Sequence, residues 1–160
     1  MSYHITGLYE TGDEPEIKPC DAGDIKKGMN MLIKGYPCKV LSVSKCKTGK
    51  HGSAKCSITG LCWITGKKCE DSMPSSANVE IPETKKNEYE LINILEDDYL
   101  TLMHPDSGET FEEIKLLDHK NWNEMNEKIK EDFEEGHELM LTVLDVMDVR
   151  LVIAHRKISS

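Results

Sequence analysis

The side chains best placed to do chemistry are gathered in one stretch, Lys47-Thr48-Gly49-Lys50-His51-Gly52. Gly49 and Gly52 bracket Lys50 and His51, with Lys47 just before and Lys55 just after. Glycine adopts positive φ at little steric cost, so this pair reads as a tight loop. Val40–Ser44 and Ala54–Thr59 on either side read as strands, which makes the loop a hairpin tip and pushes Lys50 into solvent. An exposed lysine is ordinarily a solubilising charge. One held between two glycines at a tip is a presented side chain. No carboxylate or nucleophile accompanies His51 in the stretch, so shaping the loop or serving recognition suits it better than proton transfer.

Two catalytic readings compete. A phosphate-binding loop needs glycine, four residues, then Gly-Lys-Ser/Thr and a helix. Lys50 is followed by His51, and no glycine lies at the required distance upstream. Gly60 and Gly66-Lys67-Lys68 are one residue too far apart, with Lys68 where the magnesium-holding hydroxyl belongs. That reading fails. A thiol enzyme would pair His51 with Cys46 or Cys56, and it depends on which strand face each cysteine occupies, a register that one sequence leaves open.

The elements that must position the loop follow from composition and pattern. At 160 residues the chain suits one medium domain or two small ones, and with 6% aromatics its core must be mostly aliphatic. It contains no apolar run long enough to cross a bilayer and no secretory signal pattern, so the expected location is the cytoplasm, away from membranes. The six cysteines show no Cys-x-x-Cys pair. They suit neither a zinc site nor a disulfide framework and read as small buried hydrophobes in a reducing compartment. Charge is divided along the chain: from Lys18 to Cys69 there are eleven lysines against Asp21 and Asp24, and acidic residues dominate from Glu70 onward. The crowding of Lys45, Lys47, Lys50 and Lys55 at one loop favours an RNA-facing end.

Residues 1–16 lack periodicity and read as a mobile arm. From 17 to 82, short strand-like segments separated by turns, with no helical stretch, fit a small β-barrel. Polar Pro82–Asn87 reads as the connection, with 83–87 as linker, and 88–160 as a second unit. There Tyr89–Leu95, Tyr99–Met103 and Thr110–Leu117 are strands. Trp122, Met125, Ile129 and Phe133 then recur at helical spacing, and a stripe of that kind is normally core. Asn121 with Glu124 resembles a capping box, and Gly136 is a natural stop. Glu138–Ile153 supplies two more strands. Five strands with a helix between the third and fourth is the order of an OB-fold. Its few aromatics and acidic balance suit docking better than gripping RNA.

Lys47–Gly52 followed by Ala54-Lys55 resembles the modification loop of eukaryotic translation initiation factor 5A. The resemblance extends to Gly35-Tyr36-Pro37-Cys38-Lys39-Val40, Thr65-Gly66-Lys67-Lys68, Pro74-Ser75, Asn78–Pro82 and Tyr99–Met103, in that order. Ser53, Cys46, Ala77 and the run Val146–Arg150 depart from the usual pattern. The resemblance implies a mainly β chain, an SH3-like barrel followed by an OB-fold with one helix. It implies that Lys50 is converted to hypusine: deoxyhypusine synthase, using NAD, transfers an aminobutyl group from spermidine, and the di-iron deoxyhypusine hydroxylase hydroxylates it. The protein would then be a substrate of two enzymes, needing no cofactor of its own and catalysing nothing. It would act at the exit site of the large ribosomal subunit on peptidyl-tRNA, promoting elongation at slow sequences such as proline runs and assisting termination. A different class of reading keeps Lys50 unmodified in a plain RNA- or ribosome-binding module.

Overall fold

Alternating buried and exposed side chains organise the computed structural model, which describes residues 9–10 (backbone alone), 16–47 and 54–158. The chain divides into two units at Glu83/Thr84. The first strand along the chain, β1 (Tyr9–Glu10), belongs with the second unit.

The first unit is one antiparallel sheet built from β2 (Ile17–Asp21), β3 (Asn30–Ile33), β4 (Tyr36–Lys47), β5 (Ala54–Cys62), β6 (Lys68–Pro74) and β7 (Asn78–Pro82). Their spatial order is β2-β7-β3-β4-β5-β6. Between β3 and β4 the chain turns at Lys34 (φ 52°) and Gly35 (φ 85°), and Ile33 pairs with Tyr36. Positive φ at both central residues is the signature of a primed two-residue hairpin, whose twist matches that of its strands. Met31, Ile33, Val40 and Ile58 are buried at 0–1% exposure and form the aliphatic centre. Trp63 is buried too, and its indole N–H donates to Asn30 Oδ1 at 2.7 Å.

β4 and β5 pair with a one-residue irregularity: Val40 faces Gly60, but Ser42 faces Thr59, leaving Leu41 as the extra residue of a bulge. The inward side of β4 therefore changes parity. Cys38 and Val40 are buried before the bulge, and Val43 stands opposite buried Ile58 after it.

The second unit comprises β8 (Thr84–Ile94), β9 (Tyr99–Met103), β10 (Thr110–Lys115), α1 (Asn123–Glu134), β11 (Leu139–Val146) and β12 (Val149–Lys157). These five strands, with the helix between the third and fourth, have the expected OB-fold order; the sheet runs β1-β12-β11-β8-β9-β10. Leu100, Leu102, Ile114, Leu139 and Leu141 fill its core. Ile129 is buried among them, Met125 and Phe133 pack against the cluster, and Trp122 is buried, as the helical stripe predicted.

Three expectations are corrected. Thr84–Asn87, read as linker, belong to β8 and pair in register from Thr84↔Val146 to Asn87↔Val143. Their polar side chains report a strand end exposed on both faces rather than a loop. Within the 1–16 arm, Tyr9 and Glu10 pair with Arg150 and Val149, because edge pairing uses backbone groups and needs no hydrophobic pattern. Asn121 is not the helix cap. Trp122 occupies that position with helical dihedrals, since Trp122 and Asn123 N–H both already donate to the His119 carbonyl. The helix end is as expected. Gly136 has φ +88°, its N–H donates to Phe133 O, and His137 N–H reaches back to Asp132 O, the paired bonds of a Schellman stop.

Candidate functional site

The end of β4 outlasts the core. Past the bulge β4 and β5 continue paired through Ser44↔Ser57, Lys45↔Cys56 and Cys46↔Lys55 to a last pair, Lys47↔Ala54, with β6 alongside β5 as far as Lys55↔Pro74. Ser44, Lys45, Cys46 and Lys47 are all exposed, so pairing rather than burial keeps this end of β4 extended. Thr48, Gly49, Lys50, His51 and Gly52 lie outside the described residues. Lys47 and Lys55, the described members of the predicted site, stand at its root and point no side chain into the core.

That root is braced on its own unit. Ser75 N–H donates to Ala54 O at 2.8 Å, Gly23 N–H to Ser75 O at 2.9 Å, and Ala22 N–H to Ala77 O at 2.8 Å. Lys45 Nζ donates to Gly23 O at 2.6 Å, crossing from the ladder to the short 3-10 turn Ala22–Asp24. Gly23 passes close to Ser75: a Cβ there would stand 3.3 Å from Ser75 O. Strand, turn and 3-10 turn thus fix where the loop leaves the body.

Beside the ladder runs an open groove of about 660 Å³, lined by Ile25, Lys26, Lys27, Leu41, Ser42, Val43 and Lys45. Three exposed ammonium groups over a partly apolar floor suit phosphate oxygens with an uncharged group seated below. Lys26 and Lys27 were not among the sequence-predicted site residues. The adjacent lysine pair ahead of Gly28 was the available signal, and only the fold brings it next to Lys45.

The cysteines split by position. Cys56 is fully buried, with its sulfur 3.3 Å from Ser75 Oγ. It faces inward, which removes it as a partner for loop chemistry. Cys38 and Cys62 are buried as expected, but Cys46 is exposed on the ladder opposite Lys55 and Cys20 and Cys69 are only partly covered. In the second unit, Asp132, Glu135 and His137 bring potential metal-ligand atoms within 4.8 Å of one another. The Asp132 carboxylate there already faces Lys128 Nζ at 3.3 Å and Lys157 Nζ at 3.8 Å, so the cluster is an ion-pair network. Burial pushes that carboxyl upward, but Lys128, Lys157 and His137 together outweigh it and hold it below the ordinary carboxylate value. Among the described residues no helix is long and apolar enough to cross a membrane.

Comparison with known proteins adds independent findings. Residues 16–77 match the family model of the translation initiation factor 5A-like N-terminal domain. Residues 84–156 match that of the eukaryotic elongation factor 5A hypusine, DNA-binding OB fold. Eukaryotic translation initiation factor 5A-3 of Arabidopsis thaliana is 38% identical over 152 residues, covering 94% of each chain. Eukaryotic translation initiation factor 5A-2 of Schizosaccharomyces pombe is 40% identical over 138 residues, 86% of this chain and 78% of its own. Among solved structures, an eIF-5a family protein of Naegleria fowleri superposes with a TM-score of 0.75 at 40% identity, covering 88% of this chain and 98% of that one. The eukaryotic translation initiation factor 5A structure from Methanococcus jannaschii, at 24% identity, shares the fold with a TM-score of 0.67 over 99% of this chain and 100% of its own.

Proposed function

The chain belongs to the translation initiation factor 5A family, a family of translation factors rather than enzymes, and from that premise we propose that hypusine-modified Lys50 is its working group. The modification would come from spermidine, through deoxyhypusine synthase and then deoxyhypusine hydroxylase, acting on the loop Lys47–Gly52. The observation that carries this reading is the braced β4–β5 ladder, which ends on exposed Lys47 and half-buried Ala54 immediately beside the Lys50 loop.

Lysine alone is a compact, strongly hydrated charge on a flexible stem. A hydroxylated aminobutyl arm lengthens it and adds a second amine and a hydroxyl, able to enter a narrow RNA-lined channel and bond phosphate and ribose there. On this reading the factor works in the cytoplasm at the exit site of the large ribosomal subunit. Lys47, Lys55 and the groove lysines neutralise phosphates, while the arm holds the acceptor end of peptidyl-tRNA. The gain is positional: a reactant is held near its attack geometry, and no proton need move through the factor. Slow steps such as proline runs, and termination, would benefit most.

Peptide mass spectrometry across Lys50 on protein from its native cells tests the modification directly. The full hypusine mass is expected. An unmodified lysine there would overturn the reading and leave a plain ribosome-binding module. Lys50→Arg keeps the charge but cannot be modified, so it should lose stimulation of proline-run synthesis in a reconstituted translation assay. Undiminished stimulation by that variant would equally reject the role given to hypusine.

A further inference from the structure

Three cysteines of the first unit converge on one side of the sheet, away from the lysine loop. Cys38 in β4 is the direct cross-strand partner of Cys62 in β5, and both are fully buried. Trp63 N–H donates to Pro37 O at 3.0 Å, one residue outside the pair on each strand. That bond places Cys38 and Cys62 at a non-hydrogen-bonded position, where facing Cα atoms approach to about 4.5 Å. This separation lies within the range a disulfide spans. Cys69 in β6 faces Gly60, two residues from Cys62 on the same side of β5. A Cβ on Gly60 would come within 2.9 Å of Cys38 Cβ. The absent side chain lets Ile33 and Cys38 pack directly against the β5 backbone there, and Cys69 is the partly exposed member of the group.

The hairpin after Cys62 wraps its sulfur. Gly66 N–H donates to Cys62 O at 2.8 Å and Cys62 N–H to Lys67 O at 2.9 Å, closing the turn. The closed turn aims Thr65 N–H at Cys62 Sγ, 3.4 Å away. The S–H of Cys38, the Thr65 hydroxyl and the Ile64 amide add to the donors around that sulfur, and they outweigh burial to bring its thiol down to about 5. Cys38 is displaced upward, chiefly by its hydrogen bond to Cys62, and stays protonated. Its proximity to Tyr36 O, 3.3 Å from Cys38 Sγ, gives that proton a second acceptor. Of the two adjacent sulfurs, Cys62 is the one that accepts hydrogen bonds and Cys38 the one that donates.

We propose that Cys38 and Cys62 form an oxidation site at which a hydroperoxide closes a reversible cross-strand disulfide. The Cys62 thiolate attacks one peroxide oxygen and breaks the O–O bond, giving a sulfenic acid; the departing oxygen takes up a proton and leaves as water or alcohol. The Cys38 sulfur then attacks the Cys62 sulfur, an S–S bond forms and the S–O bond breaks. The Cys38 proton leaves with that oxygen as water. In all, two thiols are oxidised by two electrons and one peroxide is reduced. The reversal needs a dithiol or two monothiols, which become a disulfide in turn. The bridge would tie together the two strands that bear the lysine loop.

The test treats the native protein, carrying Cys46→Ser to suppress bridging between molecules, with hydrogen peroxide at neutral pH. Remaining thiols are then alkylated under denaturing conditions before tryptic digestion. The expected product joins peptide Gly35–Lys39 to peptide Cys56–Lys67, two hydrogens lighter than the separate pair. Fragmentation should place the bridge on Cys62 rather than Cys56, and dithiothreitol should remove it. Thr65→Val, which deletes one donor to Cys62, should slow bridge formation several-fold and move its pH dependence upward. If Cys38 and Cys62 are recovered fully alkylated while Cys20 or Cys69 is oxidised, or if the bridge runs to Cys56, the proposal is overturned.

Discussion

Gly60 shows how much a single position can decide. A methyl group there would lie 2.7 Å from Ile33 Cδ1, 2.9 Å from Cys38 Cβ and 3.2 Å from Lys39 O. The last is backbone and cannot swing aside, so Gly60→Ala should destabilise the first unit by about 1–3 kcal/mol, read from the urea midpoint. Asp132 tests electrostatics instead. Its folded carboxyl lies below the ordinary value, so the unfolded chain binds the proton more readily. The contribution is therefore full above the ordinary carboxylate range and is lost as pH falls through the depressed folded value. Asp132→Asn should flatten the fall of the urea midpoint as pH drops through and below the ordinary carboxylate range, and an unchanged acid limb would show that Lys128 and Lys157 hold no net stability there. Residue types and their spacing made Lys50 and its neighbours visible in the sequence as candidates, and residues 48–52 of that loop lie outside the described residues. Lys26 and Lys27 were not, because their nearness to Lys45 depends on how β3 and β4 fold against the 3-10 turn. The inward face of Cys56 was equally hidden, since it depends on a register set by a bulge.

At the scale of elements, turns carry their own chemistry. Lys34 holds φ 52° without being glycine, in a hairpin whose first central position favours asparagine. Left-handed backbone costs an ordinary side chain roughly 1 kcal/mol, and Lys34→Asn should recover about 0.5–1 kcal/mol in chemical denaturation. Gly136, at φ +88° after α1, is the reverse case, and Gly136→Ala should cost about 1 kcal/mol. Periodicity announced the helix and its apolar face correctly, yet missed its start, because a turn at His119 begins the helical path before the residue that looked like a cap. β6 was also missed. Its sequence Lys-Cys-Glu-Asp-Ser-Met-Pro alternates exposed with half-buried positions at the sheet edge, where little apolar material is needed.

For the whole molecule, charge is the organising quantity. The chain carries a formal net charge of −9, while its lysines crowd the residues of the first unit. A net-acidic protein that meets RNA must do so through a local field, and such binding weakens steeply with salt. Replacing Lys26, Lys27 and Lys45 by glutamate should lower ribosome affinity and reduce the salt slope by about one unit for each phosphate that is no longer neutralised. Replacing exposed Lys85 and Lys86 of β8 in the same way should leave that slope nearly unchanged. The two-unit, mainly β plan was readable from the order of segments and the single change of period near Trp122. The junction was blurred because the start of β8 is polar and exposed on both faces and so looked like connection.

The bulge at Leu41 makes the outer ladder sensitive to counting. Beyond it, odd-numbered residues of β4 share the side of Val43, so Lys45 and Lys47 owe their facing to one supernumerary residue. Exchanging a residue between Ser42 and Lys47 alters one side chain. Deleting one shifts the frame and turns over every side chain up to the root of the lysine loop. Evolutionary drift in this segment should therefore consist of spelling changes at constant length, with gaps and insertions diverted to places such as the exposed turn Pro105–Glu109, where nothing downstream is read in register with the loop.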